Sequence, residues 1–130
     1  MRELENTRRR LLGQCYQLNF QFNNPTENFD RSKVKGKVFQ LFLAKEAIHE
    51  KALEVGAGGK LHQVVVENEI VSKQLLDREC IGRNVTIIPN NKIRFRRINP
   101  EAVQNADRIA KEMKGLARPA CDLIAYNKDV

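Results

Sequence analysis

Apolar and polar positions alternate in two different ways along the chain, and the changes between them predict a mixed order of strands and helices. The stretch from Val34 to Leu43 has an extended pattern, whereas Lys45 to Val55 repeats its apolar positions as a helix does. Gly56 follows directly and is a suitable C-cap for that helix. Leu61 to Glu67 contains three consecutive valines, which favour a strand.

The second half of the chain continues the same mixture of patterns. Asn99 followed by Pro100 predicts a helix start, with asparagine as the cap and proline in the first helical position. The elements predicted after Leu61–Glu67 are a helix capped by Asn68 that runs to Cys80 and buries Val71, Leu75 and Leu76, a strand from Asn84 to Pro89, a strand from Lys92 to Ile98, a helix from Pro100 to Gly115 with Ala102, Ala106, Ile109 and Met113 on one face, and a strand from Ala120 to Tyr126. This order predicts an α+β domain in which one mixed β-sheet packs with about three helices.

The first 32 residues have a different character. Leu4, Leu11 and Leu18 recur at a seven-residue spacing, which is a weak trace of a coiled-coil seam, so residues 1–18 are expected to be the end of a longer helix. Residues 19–32 are rich in asparagine and contain Pro25, and they are expected to form a linker loop. The final predicted strand lies near the last residue, so we expect the polypeptide to be a piece of a larger unit.

Charge adds the first functional indication. The chain has 23 Lys and Arg residues against 16 Asp and Glu, a formal net charge of +7, which favours an anionic partner such as nucleic acid. If two basic segments are extended strands, each displays its cations on one face. The candidate phosphate contacts are Arg31, Lys33, Lys35 and Lys37 in the first segment, and Lys92, Arg94, Arg96 and Arg97 in the second. Phe95 alternates with the arginines and is expected in the core. An equally open interpretation is an ordinary solvated strand face, or a strand edge made basic to prevent sheet addition.

Catalytic and metal-binding patterns do not emerge from the sequence. Cys15, Cys80 and Cys121 are odd in number and widely spaced, and the helix position four residues after His49 is Leu53 instead of a second histidine. The glycines from position 56 to 59 follow a helix and precede a strand, the reverse of a nucleotide-binding loop. We therefore expect no enzyme activity, no metal and no cofactor. Without a long apolar run or a leader-like N-terminus, we also expect an intracellular protein.

Three segments resemble the hinge domain of structural maintenance of chromosomes (SMC) proteins. They are Val34-Lys35-Gly36-Lys37-Val38, the stretch from Ala52 to Val66 that contains the glycine turn, and Thr86-Ile87-Ile88-Pro89-Asn90-Asn91-Lys92-Ile93. Asn24 to Phe29 and Arg83 to Ile93 are most similar to the type-two SMC subunit of condensin. The resemblance covers roughly residues 20 to 128 and extends to the first of two hinge subdomains; the glycine-rich signature of the second is absent.

The resemblance implies a non-catalytic module that pairs two SMC chains at the far end of a coiled coil, with ATPase heads elsewhere. Its implied partners are the hinge of a type-four condensin subunit and DNA bound weakly and nonspecifically, with no membrane partner. The implied location is the nucleus and the chromosome, besides the cytoplasm. Residues 1–18 would be the incoming arm, 19–32 the linker and 33–130 the first hinge subdomain.

Two further expectations follow from this resemblance. Gly56, Gly58 and Gly59 are assigned to a structural turn or a partner contact. A half hinge should also expose apolar surface and self-associate. The alternative to the hinge is a stand-alone basic nucleic-acid-binding domain with no SMC role, and a nucleotide-binding enzyme is a more distant third.

Overall fold

The computed structural model describes residues 2–15, 20–82, 84–94 and 96–127. Short 3₁₀ turns precede or follow most of the regular elements. The helices and strands, in chain order, are α1 (Arg2–Gln14), β1 (Val34–Lys37), β2 (Phe42–Ala44), α2 (Glu50–Ala57), β3 (Val64–Val66), α3 (Glu69–Asp77), β4 (Ile87–Pro89), α4 (Pro100–Glu112) and β5 (Ile124–Tyr126). The predicted α+β class is confirmed, with four α-helices in the described residues.

The strands form two sheets instead of the single sheet that the sequence predicts. β3 is the central strand of a three-stranded mixed sheet, antiparallel to β1 and parallel to β4. β2 and β5 form a separate antiparallel pair, in which Phe42 lies opposite Tyr126. The expected continuous strand from Val34 to Leu43 is therefore wrong, because a 3₁₀ turn at Val38–Gln40 ends β1 and redirects the chain into the second sheet.

The core lies around β3 and α3. All three valines of β3 are buried, because its two neighbouring strands and α3 cover it, and α3 adds Val71 and Leu75. The side chain of Asn68 caps α3 by accepting hydrogen bonds from the amides of Ile70 and Val71, at 3.1 and 3.0 Å. The predicted cap is thus confirmed. Burial of Leu76 is wrong, since this side chain is 56% exposed.

Several predicted boundaries differ from the structure for local reasons. α2 continues through Gly56, and its C-cap is Gly58, whose φ of 54° lies in the left-handed region. α3 ends at Asp77 instead of Cys80, and the turn that follows places Glu79 at a φ of 49°. α4 begins at Pro100 behind the Asn99 cap, as predicted. The strand expected from Ala120 begins only at Ile124, because a 3₁₀ turn occupies the residues before it.

An irregular segment before β1 packs tightly on the core. Its three aromatic rings contact one another: Phe20 and Phe22 stack at 5.7 Å between ring centroids, and Phe22 meets Phe29 edge-on at 6.3 Å. All three rings pack against the buried cluster. We call residues 20–31 the aromatic strap. This segment was predicted as a loop, and it lacks helix and strand from residue 20 to 30, but it is fastened to the body of the fold.

Two hydrogen bonds to main-chain carbonyls complete this fastening. The amide of Asn23 donates to the carbonyl of Cys80 at 3.0 Å, and the guanidinium of Arg78 donates to the carbonyl of Pro25 at 2.6 Å. The acceptor Cys80 and the donor Arg78 both lie just after the end of α3. The strap is therefore held against the residues that follow α3.

Candidate nucleic-acid and pairing surfaces

The first basic segment does not form the regular one-sided strand that its sequence predicts. Arg31–Lys33 is a 3₁₀ turn capped by Asp30, and the strand begins only at Val34. A bulge then interrupts the pairing with β3, since Val34 lies opposite Val66 whereas Gly36 lies opposite Val65. A bulge breaks the two-residue alternation of side chains. Lys33 and Lys35 are exposed, whereas Lys37 is only half-buried.

Gly36 allows this bulge to form. Its φ is +116°, and a Cβ at this position would lie 2.9 Å from the side-chain oxygen of Gln40. The same oxygen accepts a hydrogen bond from the amide of Lys37 at 3.1 Å. A larger residue at position 36 would be strained and would displace this contact.

The side chain of Arg31 folds back on the aromatic strap, of which it is the last residue. Its guanidinium carbon lies 4.1 Å from the centroid of the Phe22 ring, which is cation–π geometry. The guanidinium also donates to the side-chain oxygen of Asn24 and, at 3.4 Å, to the carbonyl of Phe22. Lys37 has a weaker aromatic contact, with its ammonium 6.0 Å from the ring centroid of Phe20. These two cations of the first segment thus have partners within the fold.

The two basic segments meet at one end of the three-stranded sheet. Val34, Val66 and Pro89 form a row across the three strands, so the residue before β1 and the turn after β4 lie at the same edge. The carbonyl of Lys33 accepts from the amide of Glu67 at 2.8 Å. Lys92 forms an ion pair with Glu69 at 3.0 Å. We call this edge, with Arg31, Lys33 and Lys92, the basic end.

Acidic groups lie among the cations of the basic end. Asp30 has a pKa below the ordinary aspartate range, first because the hydroxyl and amide of Ser32 donate to its carboxylate, and then because Lys33 and Lys35 are near. Glu69 neutralises part of the charge of Lys92. The basic end is therefore a mixed surface of cations and carboxylates.

The second basic segment is not a strand in the part of it that the structure describes. Lys92 ends a 3₁₀ turn, and Arg94, Arg96 and Arg97 follow in an unpaired stretch that leads to α4. All three arginines are exposed, and among the described contacts no ion pair involves them. Phe95, the expected core residue, lies outside the described residues. The alternation was misleading because none of the described residues of this segment pairs with a strand.

The three glycines of the turn have different roles in the chain. Gly58 ends α2 with a φ of 54° and a ψ of −135°, a conformation that favours glycine, which supports the structural-turn interpretation at this position. Gly56 lies inside α2, and Gly59 lies in the 3₁₀ turn that follows. A Cβ at either of these two would meet no atom within 4 Å. No contact within the fold therefore requires glycine at position 56 or 59.

A feature that the sequence did not locate is the amount of exposed apolar surface. Leu43, Ile48 and Met113 are exposed by 76%, 79% and 78%. Val55 and Leu116 are also more than two-thirds exposed, at 72% and 71%. Exposed apolar surface of this kind indicates a contact area.

The described residues contain few groups that could bind a metal ion or react covalently. They contain no cluster of His, Cys, Asp or Glu that could hold a metal ion. The three cysteines in these ranges are free thiols, and only Cys80 is buried. None of the helices described is both long and apolar enough to cross a membrane.

Comparison with known proteins identifies the family of this chain. The family model for the SMC proteins flexible hinge domain matches residues 31–130. The chain belongs to the SMC hinge family. It is 41% identical over 130 residues to structural maintenance of chromosomes protein 2-1 of Arabidopsis thaliana, and 40% identical over 129 residues to human structural maintenance of chromosomes protein 2. The matches cover 100% and 98% of this SMC hinge chain, but only 11% and 10% of those relatives.

Solved structures agree with this assignment. The hinge domain of the Pyrococcus furiosus SMC protein is 27% identical, with a TM-score of 0.55 over 75% of this chain and 47% of that one. The Geobacillus stearothermophilus SMC hinge domain, solved as an asymmetric dimer, shares the fold with a TM-score of 0.62 at 20% identity, over 98% of this chain and 51% of that one. The chain thus corresponds to about half of each solved hinge, and it is a hinge segment and not an ATPase head.

Proposed function

We propose that this chain is part of the hinge through which a condensin-type SMC protein pairs with a second SMC protein, the type-four condensin subunit. The observation that carries the proposal is the family match over residues 31–130, together with about 40% identity to type-two SMC proteins over nearly the whole chain. The related Geobacillus hinge is a dimer, which supports pairing as the role of the fold. The names of the same relatives support our proposal of a role in chromosome condensation and segregation and of a nuclear, chromosomal location.

Pairing is tested by mixing this chain with a type-four SMC hinge and measuring mass by size-exclusion chromatography with light scattering. A complex containing one copy of each chain is the expected result. If each protein elutes at the mass it has alone, this chain does not contain enough of the hinge to pair, and the pairing proposal fails for it.

We also propose that the hinge contacts nucleic acid nonspecifically through its basic residues. Exposure supports Lys33, Lys35, Arg94, Arg96 and Arg97 as the main phosphate contacts. Arg31, Lys37 and Lys92 contribute less, because each already contacts a ring or a carboxylate within the fold. The family membership gives no support to the alternative of a basic domain without an SMC role.

The nucleic-acid proposal is tested by fluorescence anisotropy with single- and double-stranded DNA across a salt series. Each lost phosphate contact should flatten the slope of log affinity against log salt by about 0.9 on duplex and about 0.7 on single strands. The test variant replaces Arg94, Arg96 and Arg97 by alanine. A matched control replaces three cations on other elements, Lys51, Lys60 and Lys111, and removes the same charge.

A flatter slope for the arginine variant alone supports a localised surface. Equal flattening by both variants would mean that only net charge matters, and the assignment of residues would be wrong. Absence of binding at low salt would show that the excess of cations serves solvation alone.

A further inference from the structure

The described partners of Arg31 are all neutral, although this residue carries a full positive charge. Its guanidinium carbon lies 4.1 Å from the centroid of the Phe22 ring, and its two terminal nitrogens donate to the side-chain oxygen of Asn24 and to the carbonyl of Phe22. None of the ion pairs among the described residues involves Arg31, whereas Lys92 at the same basic end is paired with Glu69. The charge of Arg31 is therefore available to an anion.

These contacts close the aromatic strap on itself. Phe22 and Asn24 lie near the start of the strap, and Arg31 is its last residue. The strap has no helix or strand from residue 20 to 30, and its three rings are only half-buried. Segments with few regular hydrogen bonds and incompletely buried side chains are those that open locally before a domain unfolds. The strap can therefore open while the sheet beside it stays formed.

A buried thiol lies beneath the strap. Cys80 is 7% exposed and belongs to the buried cluster against which the rings of the strap pack. The amide of Asn23 donates to the carbonyl of Cys80 at 3.0 Å, and the guanidinium of Arg78 donates to the carbonyl of Pro25 at 2.6 Å. Opening of the strap breaks both bonds and brings the thiol of Cys80 into contact with solvent. The reactivity of this thiol therefore reports whether the strap is open.

A phosphate group is a stronger partner for Arg31 than the strap. Hydrogen bonds to an ionised acceptor are roughly twice as strong as neutral ones, and a guanidinium binds phosphate through two parallel N–H bonds. In the strap the two terminal nitrogens of Arg31 donate to uncharged oxygens, so a phosphate bound in this fork competes with them. The loss of the strap contacts offsets part of the gain, which is why Arg31 adds less affinity than the arginines without a partner.

We propose that Arg31 is a latch, which closes the aromatic strap in the free protein and is drawn away from it by a phosphate of bound nucleic acid. Release of the latch raises the population of the open strap. The strap lies between the residues predicted as the incoming arm and β1. Its opening therefore frees about 12 residues of chain, up to roughly 40 Å when extended, between arm and sheet. This inference rests on the proposed contact with nucleic acid.

The rate at which iodoacetamide modifies Cys80 tests the latch. Cys15 and Cys121, both exposed, are replaced by serine in a parent variant, so that Cys80 is the one thiol left to form a thioether with release of iodide. Arg31→Ala in this parent should raise the rate about 5- to 30-fold without DNA. Single-stranded DNA, with saturation followed by anisotropy, should raise the rate of the parent towards that value and leave the rate of Arg31→Ala unchanged.

Arg78→Ala is the matched control. Arg78 also holds the strap through a carbonyl and carries the same charge, but it is not among the candidate phosphate contacts. This variant should react faster than the parent without DNA and keep the same fold increase when DNA is added. Amide exchange gives a second measurement. Bound DNA should speed exchange at Asn23 and leave Val64 protected, because the amide of Val64 donates to the carbonyl of Thr86 within the sheet, at 2.9 Å.

Four results would overturn the proposal. DNA that binds without changing the Cys80 rate of the parent would remove the latch and leave the nucleic-acid function standing. An Arg31→Ala variant with the rate of the parent, or with its response to DNA intact, would show that Arg31 does not close the strap. Loss of the DNA response in Arg78→Ala would show that the response is not specific to Arg31. Absence of DNA binding in the anisotropy titration would remove both the function and the latch.

Discussion

Replacing Arg31 separates the structural role of this residue from a role in nucleic-acid binding. Its guanidinium stacks on Phe22 and donates to the side chain of Asn24. An exposed cation–π contact contributes about 0.5–1 kcal/mol, and a hydrogen bond about 0.5–1.5 kcal/mol. Because the guanidinium is exposed, we expect Arg31→Ala to lower the free energy of unfolding by about 1–2 kcal/mol.

The corresponding change in melting temperature follows from the size of the chain. With about 2.1 cal/mol/K of unfolding entropy per residue, a chain of 130 residues should melt about 4–7 °C lower. Arg31→Lys keeps the charge but loses the planar group, so it should lose about half of that stability and leave the DNA salt slope unchanged. Circular dichroism melts and anisotropy titrations measure the two effects.

The control for this experiment is Lys35→Ala, since Lys35 is exposed on the bulge of β1. It should flatten the salt slope without a change in melting temperature. If Arg31→Ala instead flattened the slope and melted like the unmodified chain, the strap contact would contribute nothing, and the argument from ring and amide geometry would be refuted.

Three further predictions concern local structure. Gly58→Ala should destabilise the chain by about 1–2 kcal/mol because of its positive φ, whereas Gly56→Ala, inside α2 with open space, should stabilise it by about 0.5–1 kcal/mol; urea denaturation giving the same sign for both would contradict this. Asn68→Ala should remove about 1 kcal/mol by uncapping α3, and an unchanged urea midpoint would count against the cap. Asp30→Ala should destabilise the chain at neutral pH, and the deficit should shrink as the pH falls below about 3.9, because a lowered pKa contributes stability only while the carboxylate is charged; a deficit of equal size at pH 3 and pH 7 would disprove this.

Elements defined by local chemistry could be predicted from the sequence. The caps at Asn68 and Asn99 and the buried valines of β3 are fixed by neighbours within a few residues, and each is found where it was expected. The hinge resemblance likewise depended on short segments in the right order, and the family match confirms it.

What could not be predicted depends on partners that are distant in the chain. Period-two alternation at Lys92–Ile98 says nothing about whether a neighbouring strand is available, and Lys92 instead pairs with Glu69 of α3. The bulge at Gly36 and the division into two sheets are likewise set by pairing with β3 and β5. The sequence provides no indication of a partner for Arg31, because Phe22 lies in a segment that the sequence predicts only as a loop.

The separation of the two sheets also has a consequence for the order in which the fold opens. The connection between β3 and β4 is short and contains a single helix. The connection between β2 and β5 is much longer, because Phe42 pairs with Tyr126 near the other end of the chain. Closing the longer loop costs about 1 kcal/mol more in chain entropy, and a two-stranded ribbon has little stability of its own. Amide hydrogens of the β2–β5 pair should therefore exchange with solvent long before those of β3, and transient opening of the fold should begin at that pair.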